Sequence, residues 1–379
     1  MEEENINKSE KVVNISPIFK GKRILLFLAD FFLTFIVTFV VFNVVVMPIS
    51  NAICHATERE ENSNSAAINQ FLILYNEEVM HHEDDSDKYF YNSNVEFTMN
   101  CYLSYYSFLD SDVLNEHPQY GHKEENEVIK HFYFDIRNDK SVYLTNLQEF
   151  NKTYDYFVIE GESISLKDNI KNEIKLSFFS PNDMSNDGKT YLANLQNEFM
   201  NLYADVFKDI EKNDLVHNGN SYLEHKAIVD KAEKNLQWQL CISAAIAYFL
   251  SVAIYYLVIP MFNKESRTLG MMMMKLQRIG TNNLYLLNKS ELILYSIYML
   301  AFNLAIAFFM PMTYVTFTYL FNIPVLLPLL FIGVVLCLAS LILILASRMN
   351  RSICDFLSLS VIIRNDDLDA IYRSKGYDI

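Results

Sequence analysis

The sequence predicts an all-α membrane protein with four transmembrane helices and a mainly α extracytoplasmic domain that carries a minor β element. Three observations support this prediction: four long apolar segments, a strongly acidic stretch between the first two, and clusters of Lys and Arg outside that stretch. Hydrophobic residues make up 51% of the 379 residues and charged residues 20%. This composition is too apolar for an ordinary soluble protein and too charged for a fully buried one.

Each apolar segment is long enough to cross about 30 Å of hydrocarbon as a helix that rises 1.5 Å per residue. The predicted spans are residues 24–49, 237–262, 292–313 and 324–349. They separate an N-terminal segment, an inserted domain, a loop and a C-terminal segment, at residues 1–23, 50–236, 263–291 and 350–379.

The distribution of charge orients these segments. Residues 52–235 hold 34 acidic and 16 basic side chains, a balance of −18, whereas the remaining residues hold 12 and 15, a balance of +3. Basic residues near the ends of spans favour the cytoplasmic side. We therefore expect a multi-pass protein of a bacterial plasma membrane, with both termini cytoplasmic and residues 50–236 outside. Nucleic-acid binding is not expected, because a phosphate backbone selects basic surfaces.

The inserted domain shows helical spacing of apolar residues in three stretches, 69–82, 127–136 and 191–210, and its last helix is expected to run from Tyr222 into the second span. Residues 156–159 and 173–179 are rich in β-forming side chains and flank Glu160-Gly161, which predicts a short hairpin. Low Gly and Pro content and abundant Tyr and Phe favour a packed domain.

Cysteine and histidine give open alternatives in this domain. Cys54 and Cys101 could form a disulfide in an oxidising compartment, although two cysteines are no disulfide framework. All eight histidines fall in the predicted external part, and His81, His82, Glu83 and Asp84 crowd imidazoles beside carboxylates. That cluster is either a solvated acidic loop or a metal- or proton-sensing site.

Asp30 stands out because it is a charged residue well inside an apolar span. A carboxylate there costs about 2.5–3.5 kcal/mol on insertion scales and is a functional-site hypothesis by default. One interpretation is an ion pair with Arg23, two turns earlier on the same helix face, or with Arg351, which fixes helix packing. The other is a titrating ion site.

Three local patterns lie on the predicted cytoplasmic side. Lys22-Arg23 precedes Asp30, Arg267-Thr268-Leu269-Gly270 follows the second span, and Arg351-Ser352 precedes Asp355 after the last span. Together and in this order they resemble the RDD family of bacterial membrane proteins. The resemblance implies that Arg23, Asp30 and Asp355 are the name-giving residues and that Thr268, Leu269 and Gly270 are the loop signature.

The resemblance covers the four spans and their cytoplasmic flanks. Three features depart from the family pattern. The inserted domain is long, Met271 stands where a basic residue usually follows Thr-Leu-Gly, and residues 288–296 contain no Arg. Some family members are linked to sodium–proton antiport, which a carboxylate that alternates between ion-bound and protonated states would suit. Met271–Met274 and the basic residues after them either rest on the inner leaflet or fill a gap under the helices.

Two functional hypotheses follow. In the first, the protein is a transporter or cation/proton exchange component in which Asp30 titrates; in the second, it is a membrane-anchored sensor or accessory subunit whose external domain binds a ligand or a protein. The expected partners are the lipid bilayer and monovalent cations or protons, or that external partner. The sequence contains no HExxH, GxSxG or P-loop motif, so neither an enzyme nor a cofactor is predicted.

Overall fold

The computed structural model describes residues 17–80, 91–108, 127–263, 265–281, 284–303, 319–320, 323–324 and 326–374. These residues are mostly helical, with short two-stranded antiparallel sheets. The chain divides into two compact units. The first unit combines Met1–Glu58 with Glu233–Ile379, and the second unit is Arg59–Ala232.

The helices are α1 (Lys20–Val40), α2 (Met47–Ile53), α3 (Ala56–Asn76), α4 (Tyr91–Phe108), α5 (Val128–His131), α6 (Lys140–Tyr154), α7 (Asp168–Phe179), α8 (Asn186–Asn213), α9 (Tyr222–Ala253), α10 (Ile259–Phe262), α11 (Leu269–Met274), α12 (Lys289–Phe302), α13 (Leu326–Ala346), α14 (Ile353–Leu357) and α15 (Asn365–Ser374). The strands are β1 (Phe157–Glu160), β2 (Ser163–Leu166), β3 (Val216–His217), β4 (Asn220–Ser221), β5 (Leu276–Gly280), β6 (Tyr319–Leu320), β7 (Ile323–Pro324) and β8 (Ser360–Arg364). They pair as β1–β2, β3–β4, β5–β8 and β6–β7.

Among the described residues, two continuous helical runs are long and apolar enough to cross a membrane. A π-helical segment, Val41–Val46, joins α1 to α2, so that the first run extends over Lys20–Ile53. A second π-helical segment, Ile254–Val258, joins α9 to α10, and the run extends over Tyr222–Phe262. The second run begins at Tyr222, as predicted.

The third and fourth predicted spans are represented by shorter helices. Helix α12 ends at Phe302, and residues 304–313 of the predicted third span lie outside the described part. Helix α13 covers 21 residues of the predicted fourth span.

The second unit has its own hydrophobic core, which is rich in aromatic residues. Fully buried side chains from four elements meet there, including Tyr102 of α4, Tyr143 of α6, Phe157 of β1 and Phe199 of α8. Because Leu195, Phe199 and further apolar residues of α8 recur three or four positions apart, one face of this long helix packs on the core.

The predicted hairpin is only partly correct. Strands β1 and β2 form it, with Phe157 opposite Leu166. Residues 173–179, predicted as its second strand, belong instead to α7. Ile170 and Ile174 lie four residues apart on one helical face and are both buried, and this spacing outweighs the β propensity of the phenylalanines that follow. No disulfide joins Cys54 to Cys101, so the considered bridge is not formed.

Strand β5 lies in the loop after the second helical run and pairs with β8 from the C-terminal segment, with Arg278 opposite Ile362. This sheet was not predicted from the sequence. Met271 is fully buried and packs with Leu26 and Leu276, whereas Met273 is 76% exposed. The gap-filling interpretation of the methionine run therefore describes Met271 but not Met273.

Candidate functional site

The site begins with the buried face of α1. Arg23, Leu26, Asp30, Thr34 and Thr38 follow one another at intervals of three or four residues and are all buried. This spacing brings them to one side of the helix. The Thr34 hydroxyl donates to the Asp30 carbonyl oxygen at 2.6 Å, and the Thr38 hydroxyl donates to the Thr34 carbonyl at 2.8 Å. The polar stripe therefore satisfies much of its hydrogen bonding within α1 itself.

The Asp30 carboxylate is held by two hydroxyl groups. Tyr255 donates to Oδ1 at 2.7 Å, and Thr268 donates to the same oxygen at 3.0 Å. Oδ2 accepts no hydrogen bond from the described residues. Asp30 is 5% exposed, and no basic side chain of the described residues lies within 4 Å of it. Both of these hydrogen bonds therefore fix the same carboxylate oxygen, Oδ1.

The π-helical segment Ile254–Val258 explains how two neighbouring tyrosines face α1. Successive residues of an α-helix point about 100° apart, and a π-helical turn widens the helix locally. Tyr255 and Tyr256 are both essentially fully buried. Tyr255 reaches Asp30, and the Tyr256 hydroxyl accepts from Thr34 at 3.3 Å.

The Thr-Leu-Gly segment closes the site from α11. Thr268 is the N-cap of this helix and accepts from the Met271 backbone N–H at 3.3 Å while its own hydroxyl donates to Asp30. The Gly270 N–H donates to the Tyr255 hydroxyl at 3.3 Å. A Cβ at position 270 would collide with Oδ1 of Asp30. The glycine therefore allows the close approach of α11 to the carboxylate.

Arg23 pairs with Asp355 and not with Asp30, so the expectation of an Arg23–Asp30 ion pair was wrong. Its Nη2 donates to Oδ2 of Asp355 and, at 3.3 Å, to the Ser352 hydroxyl. Ser352 and Asp355 also form the capping box of α14, in which the Ser352 N–H donates to Asp355 Oδ2 at 2.9 Å. The Ser-x-x-Asp spacing thus forms a helix cap, and the Asp355 carboxylate of this cap also binds Arg23.

Asp355 is 1% exposed. Burial by itself would raise the pKa of Asp355, but the Arg23 and Arg278 charges and the hydrogen bond from Ser352 together hold this pKa below its usual value. Arg351 does not reach Asp30 either. It donates from Nη2 to the Asp355 carbonyl oxygen at 2.9 Å and stacks on Phe356.

Arg278 lies beside Arg23 and Asp355 in one buried cluster, and its place there was not predicted from the sequence. Strand β5 places it at 2% exposure, with Nη2 donating to the Tyr295 hydroxyl at 2.7 Å and lying 3.8 Å from Oδ1 of Asp355. It was grouped with the basic residues that follow the methionine run. No local pattern marks it as buried, because Leu276-Gln277-Arg278-Ile279 is neither an alternating nor a continuous apolar stretch.

The second unit contains a separate polar pocket of about 680 Å³. Its charged and imidazole lining comes from the end of α3 and the neighbouring segments, namely Glu77, Glu78, His131, Asp135, Arg137 and Asp214. His131 Nδ1 lies 2.8 Å from Asp135 Oδ2, and His217 Nδ1 lies 2.6 Å from Glu77 Oε1. Within the described residues no group of three metal-binding side chains is formed, and His81, His82, Glu83 and Asp84 lie outside them.

A buried carboxylate also lies in the core of the second unit. Glu127 caps α5, accepting from the Ile129 and Lys130 backbone N–H groups at 2.7 and 2.8 Å, and it accepts from the Tyr143 hydroxyl at 3.0 Å. Burial raises the pKa of Glu127 to about 7 despite these hydrogen bonds. This group belongs to the domain core and is not part of the Asp30 site.

Comparison of the chain with protein-family models, with curated proteins and with solved structures finds no match.

Proposed function

We propose that the protein is a multi-pass membrane protein of the RDD type that exchanges protons for monovalent cations at Asp30. In this proposal the four apolar segments 24–49, 237–262, 292–313 and 324–349 cross a bacterial plasma membrane. The termini lie in the cytoplasm and the second unit lies outside. No catalytic centre forms part of the proposal.

The membrane part of the proposal is supported by the outward faces of the first unit. Large apolar side chains on α1, α9, α12 and α13 are exposed to between 46 and 69%, as for Phe32, Ile246, Phe249, Ile297, Phe331 and Ile342. Water-soluble proteins rarely expose such large contiguous apolar surfaces. The Lys- and Arg-rich segments border these helices at the ends assigned to the cytoplasm.

The RDD assignment is supported by where its motif residues lie. The three segments are distant in the chain, but Arg23 contacts Asp355, and Asp30 contacts Thr268 of the Thr-Leu-Gly segment. If the three short patterns matched the family by chance, their residues would not be expected to contact one another.

The observation that carries the exchange proposal is that Asp30 is buried and forms no ion pair with a basic side chain of the described residues, whereas Asp355 has two arginine neighbours. A buried carboxylate that only held helices together would be expected to pair with a cation and use both oxygens. Here the nearest arginine of the same helix is committed to Asp355, and Asp30 is surrounded by the oxygens of Tyr255 and Thr268. Carboxylate and hydroxyl oxygens suit a proton or a hard cation.

The test is cation-dependent dissipation of an imposed pH gradient by purified protein in liposomes. We expect the wild type to exchange and Asp30→Asn to lose exchange while it still elutes as a folded protein. Tyr255→Phe, which removes one hydroxyl from Asp30, should reduce the rate. The matched control is Asp366→Asn on the exposed face of α15, which should behave as wild type. Full exchange by Asp30→Asn would refute the proposed role of this residue.

A second candidate function is favoured by the second unit. This unit is a compact domain with its own aromatic core and a pocket of about 680 Å³. Ion exchange at Asp30 gives no role to such a domain. It suits a membrane-anchored sensor or accessory subunit that binds a ligand or protein outside the cell. Absence of exchange in the folded wild type would favour this second function over the first.

A further inference from the structure

One side of the first helical run has a residue at every fourth position, and the character of these residues changes along the helix. In order they are Asp30, Thr34, Thr38, Phe42, Val46 and Ser50. The first five are buried and the last is half-buried. This side of the run is therefore polar near the carboxylate, apolar in the middle and polar again at its far end.

The apolar middle of this side packs against the second helical run. The buried members of the cluster formed there are Phe42, Val46, Ala244 and Ala247, and none of them is more than 7% exposed. We call these four residues the apolar plug. Phe42 and Val46 belong to the π-helical segment Val41–Val46, a rare helix geometry that is frequent at functional sites.

Polar contacts between the two runs lie on both sides of the apolar plug. On one side are Asp30 and its hydroxyl partners. On the other side the Ser243 hydroxyl donates to the Ser50 hydroxyl at 2.9 Å, and Gln239 Nε2 donates to Asn51 Oδ1 at 2.8 Å. Asn51 is exposed, so this second group of polar side chains reaches the surface of the unit.

Two fully buried hydroxyl groups lie between Asp30 and the apolar plug. The Thr38 hydroxyl donates to the Thr34 carbonyl at 2.8 Å, and the Ser251 hydroxyl donates to the Ala247 carbonyl at 2.6 Å. Hydroxyls that held two helices together would be expected to bond across the interface, whereas both of these bond within their own helix. A hydroxyl that donates one hydrogen bond keeps lone pairs on its oxygen, which can bind a hard cation.

We propose that a path for the exchanged cation runs from Asp30 past the Thr38 and Ser251 hydroxyls toward the outer end of the two runs, and that the apolar plug is its outer gate. This inference rests on the proposed exchange at Asp30. The plug offers a cation no side-chain oxygen between Thr38 and Ser50, which are about 18 Å apart along the helix axis. Because an ion that leaves water without new ligands is strongly destabilised, the plug closes the path in this structure.

The first arm of the experiment measures how fast a trimethylammonium methanethiosulfonate, which does not cross membranes, modifies single cysteines from outside intact cells. The full-length protein without its native cysteines carries either Ser50→Cys, beyond the plug, or Thr38→Cys, behind it. We expect the first to react readily and the second slowly. Adding Phe42→Ala should accelerate the reaction of Thr38→Cys at least about tenfold, which corresponds to about 1.4 kcal/mol in a barrier.

The matched control is Phe39→Ala, which makes the same change at a residue of the same helix that is 48% exposed, and it should not accelerate the reaction. If Thr38→Cys reacted as fast as Ser50→Cys with the plug intact, the gate would be refuted. The absence of acceleration in a folded Phe42→Ala protein would also refute it. Where Phe42→Ala does not fold, Val46→Ala replaces it with the same expected results.

The second arm tests the path through exchange in liposomes. Thr38→Val keeps the size of the side chain and removes its oxygen, so the exchange rate should fall at least about tenfold while Tm stays close to that of the wild type. A hydroxyl with a purely structural role would change Tm and not exchange. The control is Thr190→Val, because this exposed threonine of α8 also donates to the carbonyl four residues earlier. Undiminished exchange by Thr38→Val would overturn the path.

The two arms separate failure of this inference from failure of the proposed function. Exchange by the wild type without faster labelling in the Phe42→Ala variant would reject the gate and leave exchange at Asp30 standing. Faster labelling in a protein whose wild type does not exchange would reject the proposed function, and the cation path with it.

Discussion

The Asp355 carboxylate both caps α14 and binds Arg23. Its Oδ2 accepts the Ser352 N–H and completes the capping box of α14, and the same oxygen accepts from Arg23 of α1. The cap fixes the side-chain rotamer and therefore holds the carboxylate ready for the arginine. The two segments that carry these residues are more than 300 positions apart in the chain.

Replacing this carboxylate should be strongly destabilising. Asp355→Asn leaves the Arg23 guanidinium buried without a negative partner, and loss of one member of a buried ion pair costs about 3–5 kcal/mol. The expected result is a clearly lower Tm of the full-length protein at pH 7. Because the pKa of Asp355 is held low, the stabilisation is present above about pH 4 and is lost as the pH falls through the pKa of the folded state.

The control for that measurement is Asp366→Asn, which changes an exposed residue of α15 and should alter stability by at most about 0.5 kcal/mol. If both variants had the same Tm as the wild type, the Arg23–Asp355 pair would not contribute to stability.

The candidate residues of the site could be found from the sequence, but their pairing could not. Asp30 stood out as a charge in an apolar span, and Arg23 was chosen as its partner because the two share a helix face. Seven residues correspond to about 10 Å along a helix axis, which is too far for a direct contact between these side chains. Asp355 reaches Arg23 because the tertiary fold brings the N-terminal cap of α14 to the Arg23 side chain.

At the level of elements, the β5–β8 sheet determines how the site is closed. It joins the loop after the second helical run to the C-terminal segment and places Arg278 in the buried cluster. Each strand has only five residues, and their partners lie far apart in sequence. Short apolar stretches of this kind do not reveal their pairing, because hydrophobic periodicity carries no information about long-range partners.

The register of this sheet can be tested by cross-linking in a variant without the native cysteines. Gly280 and Ser360 are opposite each other, so cysteines at these two positions should form a disulfide, since paired Cα atoms lie about 4.5–5.5 Å apart. Cysteines at Gly280 and Ile362 are displaced by two residues, about 7–8 Å apart, and should cross-link poorly. Equal yields from the two pairs, or preference for the second, would contradict the observed register.

At the level of the whole molecule, the proposed topology makes a prediction about accessibility. Cys54 is exposed near the end of the first helical run and would lie outside the cell, whereas Arg364 would lie in the cytoplasm. A membrane-impermeant maleimide should therefore label Cys54 in intact cells. It should label the Arg364→Cys variant, made without the native cysteines, only after the cells are permeabilised. Labelling of both positions in intact cells would exclude the orientation with cytoplasmic termini.

The sequence by itself predicted the helical character of the protein and four spans, of which the first two coincide with long apolar helical runs, and it marked Arg23, Asp30, Thr268, Gly270 and Asp355 as candidate residues. These properties follow from local composition and spacing, which the sequence states directly. Tertiary structure decided which charges meet, that Arg278 joins them, and that Asp30 meets the hydroxyl groups of Tyr255 and Thr268. Such contacts depend on how distant segments pack. The local sequence of any one element does not specify this packing, because it depends on all the elements together.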